Sequence, residues 1–83
     1  MSLEVKYMSR RDKLIEKIKN AKTADFDDID LLLTQLGFKS RNNGTSHYTY
    51  TNAPYVIGIA KHGQQVKRVY LENVKDLLER MGM

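Results

Sequence analysis

Two periods divide this chain. Ile29, Leu32, Leu33 and Leu36 recur at i, i+3, i+4 and i+7, which puts one helix face against a core. Asp25 stands where a cap belongs, Asp27 and Asp28 suit the positive end of the helix dipole, and Gly37 fits the left-handed position that ends many helices. Upstream, Ser9 and Asp12 mark a helix start, and Leu14, Ile15 and Ile18 give it a short apolar stripe that fades near Asn20. Downstream, Leu71, Val74, Leu77, Leu78 and Met81 predict a last helix from about Tyr70. Between the second and last helices the pattern is strand-like. Phe38–Arg41, Ser46–Thr51 and Tyr55–Lys61 read as strands, parted by Asn42-Asn43-Gly44 and Asn52-Ala53-Pro54 as turns.

The order α-α-β-β-β-α predicts an α+β fold, with a three-stranded antiparallel sheet covered on one face by helices. Residues 1–24 read as an extension carrying a short extra helix, and residues 25–83 as the main domain. Met1–Tyr7 shows no clear period and reads as a leader outside the fold.

Alternation also predicts which way the sheet faces. Tyr48 and Tyr50 share one side of the second strand, and His47, Thr49 and Thr51 the other. On the third, Tyr55, Ile57 and Ile59 oppose Val56, Gly58, Ala60 and His62. The apolar sets meet if Tyr50 pairs with Ile57 and Tyr48 with Ile59. That register places the tyrosines in the core and turns His47 and His62 to the uncovered face. A slip of one residue would reverse it.

Charge adds a location. The net charge is +4, and residues 1–36 balance seven Lys/Arg against seven Asp/Glu. The surplus therefore lies in residues 37–83, with seven against three. No acid occurs between Asp30 and Glu72, a stretch that holds Lys39, Arg41, Lys61, Lys67, Arg68 and both histidines. Such a field attracts polyanions. An acidic protein would answer to it as well as nucleic acid, and a plain solvated face would look the same.

At 83 residues the chain buries only about 60% of its unfolded surface, which leaves room for a shallow site rather than an enclosed pocket. It has no cysteine, and two histidines without a carboxylate cluster argue against a structural zinc site. With no apolar run of about 18 residues and no signal-peptide pattern, a cytoplasmic protein that does not enter membranes is the expectation.

Three blocks then align with one family. Gly44-Thr45-Ser46-His47-Tyr48-Thr49-Tyr50 resembles the Gly-Ser-His core of HicA toxins. Phe26-Asp27-Asp28-Ile29, continuing through Leu32-Leu33 to Leu36-Gly37-Phe38, is similar to that family's entry helix and its exit. Lys61-His62 and Val66-Lys67-Arg68-Val69-Tyr70 resemble its basic segment. The resemblance spans roughly residues 25–81. It departs at Thr45, which separates Gly44 from the Ser-His pair, and at Ala60, where the family usually has proline.

The resemblance implies a double-stranded-RNA-binding-like fold that cleaves messenger RNA and is silenced by a HicB-type antitoxin. His47 is then the catalytic acid/base, with Ser46 or His62 in support, and Lys61, Lys67, Arg68, Lys39 and Arg41 are candidates for phosphate contact. RNA brings its own nucleophile, the ribose 2′-hydroxyl, so proton transfer and charge stabilisation suffice and no metal or other cofactor is called for. Structured-RNA binding without cleavage is the alternative, and a face serving chiefly a protein partner is a third.

Overall fold

Ser9 opens the first helix as its sequence suggests. Its hydroxyl accepts the Asp12 N–H at 3.1 Å, and α1 runs over Arg10–Lys19. The structure is a computed structural model that describes residues 9–42 and 44–83; the Met1–Tyr7 leader and Asn43 of the first turn lie outside them. Helix α2 spans Phe26–Gln35 and ends at Gly37, whose φ of 93° is the left-handed value anticipated there. Asp25 holds the cap position, but its side chain makes no cap hydrogen bond. The entry to α2 is fixed from across the fold instead. Phe26 N–H donates to the Gln64 carbonyl at 2.8 Å and Val66 N–H to that of Ala24 at 2.9 Å, so Asp25 and Gln65 form an antiparallel bridge.

The last helix, α3, covers Arg68–Arg80 and begins two residues before the expected Tyr70. Its first turn opens on exposed Arg68 and Val69, which lie off the buried stripe, so periodicity alone sees the helix only near Leu71. The strands are β1 (Lys39–Asn42), β2 (His47–Asn52) and β3 (Tyr55–Ala60), antiparallel in the order β1-β2-β3. The first strand lies one residue later than expected. Phe38 is not part of it; its N–H donates to the Leu33 carbonyl and its ring is buried in the core.

Pairing of β2 with β3 follows the expected register, Tyr50 opposite Ile57 and Tyr48 opposite Ile59. Tyr50, Ile57 and Ile59 accordingly join Phe26, Ile29, Leu32, Leu33, Leu71, Val74, Leu77 and Leu78 in one core. Thr49, Thr51, Val56 and Gly58 are exposed on the opposite face. The fold is therefore α+β, with the helices on one side of the sheet. Ile18 of α1 is fully buried in the same core, so the N-terminal helix and the rest share their packing.

Tyr50 is fully buried, and its hydroxyl donates to Asp30 Oδ1 at 2.7 Å. Burial first, then the hydrogen bond and charge of Asp30, push its phenol well above the ordinary value of 10.0. The folded state thus keeps a proton that the unfolded chain loses in alkali. The stability this gives is intact below pH 10 and should fall above it by about 1.4 kcal/mol per pH unit. Urea unfolding at a series of alkaline pH values should show that slope. Tyr50→Phe should remove it, at a cost near neutrality of about 1 kcal/mol for the lost hydrogen bond.

Candidate active site on the open sheet face

His47 is the first residue of β2, and its position follows from the loop before it. Asn42 ends β1 and clamps that loop. Its side-chain NH2 donates to the Thr45 carbonyl at 2.6 Å and to the His47 carbonyl at 3.1 Å, while its Oδ1 accepts the Gly44 N–H at 2.9 Å. Thr45 completes the arrangement, its hydroxyl accepting the His47 N–H at 3.1 Å. Asparagine and threonine bond locally to backbone in this way because their short polar side chains reach groups two or three residues on. Gly44 takes a φ of 83°, which its lack of a Cβ permits.

The alternation of the sheet then decides where the imidazole goes. His47 pairs with Ala60, on the side opposite Tyr48 and Tyr50, and is exposed. His62 lies two residues past Ala60 and is exposed as well. The two rings meet edge to face with centroids 6.4 Å apart. Lys39 pairs with Thr51 and Arg41 with Thr49, which assigns both basic residues of β1 to the same face as His47. The open face thus combines two imidazoles, an ammonium and a guanidinium with the hydroxyls of Thr49 and Thr51. None of its residues is acidic.

The other candidates sit elsewhere. Ser46 is half-buried, and its carbonyl accepts the Lys61 N–H at 2.7 Å, extending the ladder by one pair. Lys61 thereby faces the helix side, where its Nζ stands 5.0 Å from the centroid of the Phe26 ring. That ring in turn tilts against Tyr48 at 4.9 Å. Lys67 is the residue before α3, and Arg68 lines a shallow groove on the helical layer with Ala21, Lys22, Glu72 and Lys75. The structure therefore puts His47, His62, Lys39 and Arg41 on one face and leaves Lys61 and Arg68 apart from them. Arg41 is nearer the histidines, and Lys39 stands at the far end of β2, opposite Thr51. Among the described residues no group of three His, Asp or Glu side chains converges as a metal site would require.

In the sequence Asn42 reads only as a turn residue and Thr45 only as an interruption of the Gly-Ser-His pattern. The signal for the Asn42 clamp was present, since an asparagine two residues before a glycine is the pattern of an Asx turn. Thr45, the residue that interrupts the Gly-Ser-His pattern, holds the His47 N–H, while Asn42 holds the His47 carbonyl. Comparison of the chain with protein-family models gives no match, and searches among curated proteins and among solved structures also give none.

Loss of the clamp should loosen the loop without unfolding the protein. In Asn42→Ala, amide exchange at Gly44 and His47 should accelerate roughly fivefold, the equivalent of about 1 kcal/mol of hydrogen bonding. Exchange in the α2 and α3 cores should keep its native protection.

Proposed function

We propose that this chain is a HicA-type toxin, a metal-independent endoribonuclease that cleaves messenger RNA through histidine acid/base catalysis and is neutralised by a HicB-type antitoxin. The observation that carries the reading is the pair of exposed imidazoles, 6.4 Å apart, on an acid-free face that also holds Lys39 and Arg41. The three sequence blocks that resemble the HicA family supply the reaction.

The spacing suits a single phosphodiester placed between the rings. A side chain acting on a proton must come within about 2.6–3.2 Å of the atom concerned. One imidazole takes the proton of the 2′-hydroxyl as that oxygen attacks phosphorus, and the other gives a proton to the departing 5′-oxygen as its bond to phosphorus breaks. The products are a 2′,3′-cyclic phosphate and a free 5′-hydroxyl. Histidine suits both tasks because it changes charge near neutral pH. His62 is in this reading the second acid/base, and Ser46 helps to set the strand from which His47 projects.

Lys39 and Arg41 grip the phosphates along β1, and a guanidinium does this with paired donors. Lys67 and Arg68, at the start of α3, extend the basic surface toward the helical layer, where flanking RNA would pass. Lys61 acts through position, holding the strand end against Phe26. The three-stranded sheet with helices on one face is the reading's counterpart of a double-stranded-RNA-binding-like fold, and a messenger RNA substrate places the protein in the cytoplasm.

His47→Ala should lower the cleavage rate by about 10²–10⁴-fold while the circular-dichroism spectrum and melting temperature stay within the wild-type range. His62→Ala should cost at least tenfold. Cleavage should persist in EDTA and leave a cyclic phosphate end. Equal activity of His47→Ala and wild type would sink the mechanism, and intact RNA retarded on a gel by both would point to a binding module. Lys39→Ala and Arg41→Ala should each flatten the dependence of log affinity on log salt for single-stranded RNA by about 0.7.

A further inference from the structure

The two edges of this sheet are protected to different degrees. Edge strands expose unpaired N–H and C=O groups, and proteins usually blunt them with charge, proline or a bulge. β1 carries Lys39 and Arg41. β3, reading Tyr55-Val56-Ile57-Gly58-Ile59-Ala60, has no charge and no proline. It is the kind of edge on which another strand can grow.

The ladder shows which groups are available. Lys61 N–H donates to the Ser46 carbonyl, and in an antiparallel pair hydrogen-bonded and non-bonded positions alternate. Ile59 and Ile57 therefore bond inward to β2, whereas Val56, Gly58 and Ala60 turn their N–H and C=O outward. Ala60 is buried, so the accessible stretch is Val56 and Gly58. Val56 is 60% exposed despite its apolar side chain. A Cβ built on Gly58 would meet nothing nearer than the Tyr48 carbonyl at 4.0 Å. The fold does not demand a glycine there, and a strand glycine often marks the close approach of another backbone.

Beside this edge runs a groove of about 500 Å³ lined by Val56, Ile57 and Gly58 on one side and Asn73, Asp76, Glu79 and Arg80 of α3 on the other. Two of the three acids in residues 37–83 stand in it. We propose that the β3 edge is a docking site for a protein partner that adds an extended strand whose side chains alternate basic and apolar. The outward groups of Val56 and Gly58 supply the backbone bonds. Side chains of the incoming strand point alternately to its two faces, so one set meets Asp76 and Glu79 and the other lies beside Val56. The acids lie on the helix side of this edge, while the Val56 side chain lies on the open face, opposite Thr51 and at the other end of β2 from His47.

The test uses the full chain and two capped six-residue peptides, one alternating Lys and Val and the other Glu and Val. The lysine peptide should shift the amide resonances of Val56 and Gly58 and slow their exchange. The glutamate peptide should do neither. The protein carries +4, and Asp76 and Glu79 outnumber Arg80 in the groove, so a preference for the lysine peptide against the overall field points to these local acids. The Asp76→Lys/Glu79→Lys double variant should weaken binding at least tenfold, as should Val56→Lys, with both variants folded by circular dichroism. His47→Ala should bind as wild type does, whatever the outcome for RNA cleavage.

Absence of shifts at millimolar peptide would overturn the proposal. So would equal binding of both peptides, or shifts confined to Arg41 and His47. Concentration-dependent dimerisation abolished by Val56→Lys would give the edge to a second copy of this chain and overturn the partner proposed here.

Discussion

Side chains leave a β-strand alternately to its two faces, so one choice of pairing settles the surroundings of every residue in a sheet. Here the choice is Tyr50 against Ile57 and Tyr48 against Ile59. Burying this apolar set offers the main driving force for the sheet to dock on the helices, at roughly 25 cal/mol per Å² of apolar surface. A slip of one residue would put His47 and Thr49 among the leucines and leave buried polar groups without partners, which costs several kcal/mol. The exposure of the histidines is therefore a by-product of core packing. No separate device is needed to hold them outward.

The same constraint explains why so much was legible in the sequence. Ile29, Leu32, Leu33 and Leu36 announce α2 by spacing, and the Tyr/Ile alternation announces both the register and the open face. Two lysine-arginine features were not separable by such means. Lys39 and Arg41 share the histidines' face because β1 pairs with β2, while Lys61 turns toward Phe26 and Arg68 lines the groove on the helical layer. Charge counting along a chain has no knowledge of direction. Only the pairing and the start of α3 at Arg68 sort those cations, and that start is invisible to an apolar period.

Local hydrogen bonding was the other gap. The Asn42 clamp depends on one side chain bonding three backbone groups across a turn, and the role of Thr45 depends on that turn having closed. Sequence supplies the residue types for this, but their geometry is set by the strands on either side. The chemistry of the face and the rigidity of the loop thus have different origins. One comes from the sheet's alternation, the other from two short polar side chains.

The bridge between Asp25 and Gln65 has a mechanical consequence. It closes the neck of an excursion that contains α2 and all three strands, with Phe26 and Val66 hydrogen-bonded across it. Outside the neck, α1 and α3 are tied to each other's ends, Lys75 Nζ donating to the Ala21 carbonyl at 2.6 Å and Lys19 Nζ to that of Met83 at 2.8 Å. A pull applied between the two ends of the chain loads these ties and the neck first, in series. The hairpin that carries His47 lies off that path. It is a passenger on the loop, shielded from tension until the clasp beneath it has opened.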